Sequence, residues 1–223
     1  MKIFLATADV EELRWAAGLG LIDGVLTTPA MLTRQSDTDD LEPRDLLDAL
    51  CRATALPVCA AIGSINADDA YRDGRELAKL SDQIMVQVPL VEDAIDAMRR
   101  LRADGVRVVA TLVYTTPQAL LAAKAGASVV SVAIDTLDLH GQDGAAVVAD
   151  VCALFDQHGT ECDVMAAFPR DAAQFTRCAR AGADVVAATP ALLRALLVNP
   201  LTDRGLDHLL HDLSVHNRQR VET

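Results

Sequence analysis

Lysine is scarce in this 223-residue chain, which carries only Lys2, Lys79 and Lys124. Chemistry that needs a primary amine therefore has few candidates. Positive charge is short as a whole, since 20 Lys and Arg face 32 Asp and Glu for a formal charge of −12. A surface that binds nucleic acid needs a concentrated basic face, so nucleic acid is excluded as a partner, and an anionic membrane with it. No apolar run approaches the roughly 20 residues that span a bilayer, and the stretch after Met1 turns polar too soon for a signal sequence. The five cysteines (Cys51, Cys59, Cys152, Cys162, Cys178) are odd in number and lack CxxC spacing. They fit reduced, buried thiols in a cytoplasmic protein better than a disulfide frame. There is no GxGxxG, and no cofactor is expected.

What is present is a regular alternation. Lys2–Ala6 reads as a buried strand, and Asp9 with Glu12 resembles a capping box opening a helix that Gly18 and Gly20 end. Gly24–Pro29 looks like a second strand closed by proline. The acidic stretch Ser36–Asp40 reads as a solvated loop, because it lacks the graded spacing and glycine of a calcium loop. Pro43 starts a helix that leads to the strand Val58–Ile62, and Asn66 with Asp69 caps the next, to about Leu80. A helix from Glu92 to Ala103 follows the fourth strand. Three joints then repeat, at Ala103-Asp104-Gly105, Ala125-Gly126-Ala127 and Ala181-Gly182-Ala183, each a helix end with glycine leading into a Val-rich strand. The last four strands are placed at Val106–Val113, Ser128–Ile134, Asp163–Ala167 and Asp184–Ala188. Eight apolar strands alternating with helices predict an α/β protein with a parallel sheet covered on both faces. At this length the simplest form is one domain, residues 1–223, folded as a (β/α)8 TIM barrel with an extra C-terminal helix. An open doubly wound sheet is the alternative.

The strand Ile84–Pro89 contains one residue out of keeping with its neighbours. Gln87 shares a face with Met85, and burying an unpaired amide costs about 1–3 kcal/mol. A polar group near the C-terminal end of a barrel strand lies where such enzymes hold their chemistry.

Three stretches resemble one family. Val109–Ala127, with its Thr116-Pro117-Gln118-Ala119 segment, is similar to the fifth strand and helix of the small transaldolases and fructose-6-phosphate aldolases. Asn199–Leu206 resembles the turn before their C-terminal helix, and Phe4–Asp9 with Gly24–Pro29 resembles their first two strands. The resemblance runs nearly the whole chain, with small insertions near residues 35–45 and 63–67. It implies a (β/α)8 barrel that cleaves or transfers a dihydroxyacetone unit through a lysine Schiff base on strand four, the iminium serving as electron sink. At the lysine position this chain has Gln87, whose amide nitrogen is not nucleophilic. By the same resemblance Ala6 replaces a proton-relaying aspartate, Thr28 an asparagine, Ala60 a polar residue that holds water, and Ala133 an aromatic hydroxyl. Thr136 and Phe168 stand where arginine and serine grip a phosphate, with Arg170 close to the second. Of the polar set only Thr111 is retained.

A mouth lined by Ala6, Leu26, Thr28, Ala60, Gln87, Thr111, Ala133, Asp135 and Phe168 suits a less polar small molecule than a sugar phosphate. The leading expectation is an enzyme repurposed for specialised biosynthesis. In it Asp135, at the end of strand six, serves as general acid or base with a pKa raised by burial, and Gln87 and Thr111 orient a carbonyl. The alternative is a non-catalytic ligand-binding or scaffold protein, since fold does not fix function. His208 and His211 lie three apart without a third ligand, so no metal is expected. His140 falls in the loop after strand six, and Cys59 has no neighbouring histidine to activate it. The resemblance further implies a homo-oligomer, a pentamer or decamer. Leu206, Leu209, Leu210 and Leu213 form the stripe on the C-terminal helix that would pack on its own barrel or on a neighbour.

Overall fold

Apolar strands of a parallel sheet must be covered on both faces, and here the two faces of each strand serve two different cores. On the fourth strand Ile84, Val86 and Val88 point outward into the layer shared with the helices, whereas Met85 points inward with Phe4, Leu26, Cys59, Val109, Met165 and Val185. Each fully buried valine of that outer set contributes about 1.5–3 kcal/mol relative to exposure. The computed structural model describes the backbone of residues 1–221 and side chains through residue 213.

Eight strands run in chain order: β1 (Lys2–Ala6), β2 (Gly24–Leu26), β3 (Val58–Ala61), β4 (Ile84–Pro89), β5 (Val108–Val113), β6 (Val129–Ala133), β7 (Asp163–Ala167) and β8 (Val185–Ala188). Each is parallel to the next, and β8 returns to pair with β1 through Lys2 and Val185. The sheet is therefore a closed (β/α)8 TIM barrel, not an open doubly wound one. A side chain at Gly24 would meet the Phe4 ring at 2.4 Å, so glycine there leaves the space that ring fills inside the barrel.

The helices are α1 (Val10–Gly18), α2 (Pro29–Asp39), α3 (Pro43–Ala53), α4 (Ala67–Ala78), α5 (Ile95–Ala103), α6 (Thr116–Lys124), α7 (Ile134–Leu139), α8 (Gly144–His158), α9 (Ala172–Arg180), α10 (Pro190–Leu196) and α11 (Pro200–Val221). The predicted helix from Glu92 opens as a 3-10 turn before α5. At all three predicted joints the glycine is left-handed, with φ of 81° at Gly105, 99° at Gly126 and 94° at Gly182. Asp9 caps α1 as expected, but Glu12 does not complete the box. Its carboxylate instead accepts from Arg194 at 2.6 Å, and that guanidinium stacks 3.6 Å from the centre of the Trp15 ring, fixing α10 to α1.

Two expectations are corrected. Pro29 does not close a strand but begins α2, with Thr28 as its cap. The stretch Ser36–Asp39 is the end of that helix and not a loop: Leu32 and Ser36 face inward, Asp37 and Asp39 face water, and Asp40 ends it at a left-handed φ of 54°. No helix among the described residues is long and apolar enough to cross a membrane. The C-terminal helix α11 leaves Leu206, Leu209, Leu210 and Leu213 all more than half exposed, so the stripe does not pack on its own barrel.

Candidate functional site

The C-terminal ends of the strands enclose a cavity of about 350 Å³ whose walls include Leu26, Thr28, Gln87, Thr111, Ala133 and Phe168, together with Ala61, Ser131 and Ala167. Gln87 is 5% exposed, and its Nε2 donates to the carbonyl oxygen of Thr27 at 2.8 Å. That partner can only accept, so the nitrogen must face it. The amide's Oε1 and its second N–H are left to the cavity. Thr27 is itself fixed, since its hydroxyl donates to Cys59 O at 2.7 Å. The side chain of Gln87 thus reaches from β4 across β3 to the chain just past β2.

Thr111 is aimed by an irregularity. Between β5 and β6 the register runs Ala110 to Val130 and then Val113 to Val132. Two residues, Thr111 and Leu112, therefore lie opposite one, Ser131, which is a bulge of the kind that re-aims side chains at a barrel rim. Neither the Thr111 nor the Ser131 hydroxyl has a hydrogen-bond partner among the described residues, although Ser131 is only 7% exposed. Ser131 is a site residue that sequence reasoning missed. It shares with Ala133 the inward phase of Val-Val-Ser-Val-Ala, the same alternation that singled out Gln87.

Other predicted residues lie elsewhere. Ala6 is 2% exposed in the barrel interior and does not line the cavity. Ala60 faces the outer core, and its neighbour Ala61 takes the place at the mouth. Asp135 is not at the end of a strand but is the second residue of α7, where its carboxylate accepts from the amide of Thr136 at 2.7 Å. Arg170 is exposed and pairs with Asp138 at 3.0 Å, away from the cavity wall. Thr136 bonds Asp135, and His140 is an exposed residue whose Nδ1 lies 2.8 Å from Thr136 O. Cys59 lies inside the barrel, where burial pushes its thiol up to about 12 and leaves it un-ionised at neutral pH. His208 and His211 are exposed on α11, and among the described residues no group of three or more His, Cys, Asp or Glu side chains could hold a metal.

The lysines are all at the opposite rim. Lys2 starts β1 and pairs with Asp163, the first residue of β7, at 3.0 Å. Lys79 caps the end of α4 and Lys124 ends α6, and in a barrel of this kind a helix ends where the next strand begins. None of the three lines the cavity.

A closed parallel barrel whose C-terminal mouth carries Gln87, Thr111 and Ser131 defines a (β/α)8 protein. Residues 3–222 match the family model described as Transaldolase/Fructose-6-phosphate aldolase. The chain is 38% identical over 212 residues to a probable transaldolase of Hyphomonas neptunium, covering 95% of this chain and 96% of that one. It is 37% identical over 219 residues to a probable transaldolase of Chlorobium phaeovibrioides, covering 96% and 99%. The chain belongs to the transaldolase/fructose-6-phosphate aldolase family.

Proposed function

We propose that this chain is a diverged member of its family that has lost the lysine Schiff-base route and acts instead on a small, less polar metabolite held at the barrel mouth. The observation that carries this reading is the placement of all three lysines at the rim away from the cavity, while a carboxamide anchored to Thr27 occupies the mouth. An amide nitrogen forms no iminium with a ketone, so the electron sink of the ancestral reaction is missing. What the mouth offers is a set of neutral hydrogen-bonding groups: the Thr111 and Ser131 hydroxyls and the free N–H of Gln87. These suit a ligand carbonyl, which they orient and polarise by donation. Thr28 and Phe168 complete the wall, and small Ala133 leaves room for the ligand body. Asp135 and Arg170, which face other partners, have no part in it. An open cavity of about 350 Å³ favours a ligand-binding role over a scaffold with a plugged mouth. We further propose that the protein is a cytoplasmic homo-oligomer, supported by its five free cysteines and the exposed leucines of α11.

The test is borohydride trapping of the unmodified protein with dihydroxyacetone or fructose 6-phosphate. Intact mass is expected to stay unchanged, and a covalent adduct would overturn the reading.

A further inference from the structure

A second hollow adjoins the mouth. It has a volume of about 360 Å³ and shares Pro29, Ala61 and Ile62 with the first cavity. From that shared edge it descends between helices. Its walls are Leu32 from α2, Leu47 from α3, Leu77 near the end of α4 and Leu80 just past it. Asp73 and Leu77 lie four residues apart on one face of α4, about 6 Å along its axis. Thr33, Arg44 and Glu76 are exposed at its border, and Asp73 is a half-buried carboxylate in its wall. Its buried floor is made of Leu32, Leu47 and Ile62.

We propose that this groove is the second half of the ligand site and takes the aliphatic chain of a ligand whose carbonyl sits among Gln87, Thr111 and Ser131. The inference rests on the reading of the mouth above and adds the substrate class: a carbonyl compound with an unbranched apolar tail. The mouth holds the polar end because three polar groups converge there, and the groove holds the rest because its buried floor of Leu32, Leu47 and Ile62 is aliphatic. Ala61 belongs to both walls, and its side chain there is only a methyl group. The occupant is tied to the mouth by continuity, which a separate protein segment would not require.

The full chain is titrated with straight-chain methyl ketones from butanone to decanone. Affinity is expected to rise about fourfold with each added methylene, the change that burial of one such group gives. Leu77→Trp, and independently Leu80→Trp, should fill the groove and flatten the series while leaving butanone binding as it was. Binding that ignores chain length, or a series that both tryptophan variants leave steep, overturns the groove alone. Absence of binding at every length overturns the groove and the carbonyl-binding mouth together, whereas a borohydride adduct on the native protein strikes only the claim of a lost Schiff base. Sedimentation of the two variants covers the rival occupant: if they turn a larger assembly into monomers, the groove belongs to a second copy of the chain and the proposal fails.

Discussion

Leu112 and Phe168, at the rims of β5 and β7, both hold a left-handed backbone, with φ of 58° and 62°, and both wall the same cavity. The left-handed region costs a residue with a side chain about 1–2 kcal/mol, and such strain persists where surrounding structure over-determines it. At Leu112 packing returns little, because the residue is 51% exposed. Leu112→Gly is therefore expected to raise stability in urea by about 1 kcal/mol while weakening ketone binding at the mouth. A loss of stability would show that the leucine side chain, not backbone strain, decides the balance.

Replacing Gln87 by lysine puts an amine where the carboxamide now meets Thr27 O. Burial there disfavours the ammonium form and raises the share of nucleophilic amine. Gln87→Lys should give a borohydride-trapped adduct with dihydroxyacetone that the native protein does not. Its turnover of fructose 6-phosphate should nonetheless stay low, since Ala6 and Ala133 supply no proton-transfer group, an absence worth about 10²–10⁴-fold in rate. Efficient turnover would mean that another side chain moves the proton.

The barrel was legible in the sequence because its signals are local. Glycine after a helix end announces the turn into a strand, and at Gly105, Gly126 and Gly182 the backbone does need it. The inward phase of β4 was legible because a polar residue marks it. On β3 nothing marks the phase, since Val-Cys-Ala-Ala is apolar at every position, and the resemblance puts Ala60 where the structure has Ala61. Asp135 reads as a strand-end residue for a related reason, since the apolar run Val132-Ala133-Ile134 passes from β6 into α7 without a break. In α2 the cap from Thr28 and the inward Leu32 outweigh an acidic composition that reads as loop. The groove could not be read at all, because its walls come from three helices that only the closed barrel brings together.

The thiols give a pH dependence of known sign. Burial pushes Cys59, Cys152 and Cys162 up to about 12 and Cys178 up to about 11. In the unfolded chain a thiol titrates near about 8.5, so each folded-state value is raised. Their contribution to stability is complete below that unfolded value and is lost as pH climbs toward 12. The urea midpoint should accordingly fall above about pH 9, and Cys59→Ala should soften the fall. Iodoacetamide at neutral pH should leave Cys59 unmodified in the folded protein, and its rapid alkylation would contradict the dry interior assigned to it.

The last expectation concerns α11. Leu206, Leu209, Leu210 and Leu213 are 52%, 55%, 56% and 51% exposed, and their spacing puts them on one side of the helix. Four aligned leucines left in water make a patch that soluble monomers rarely carry, and one that closes symmetrically on copies of itself limits further association. The native chain should therefore sediment well above the mass of one copy at micromolar concentration. Ending the chain at Val198, or combining Leu206→Asp with Leu210→Asp, should bring it to monomer mass. Because the stripe does not pack on its own barrel, the truncated chain should keep the far-ultraviolet signature of the remaining elements. If the native protein already sediments as a monomer, the leucines have some other partner and the assembly is wrong.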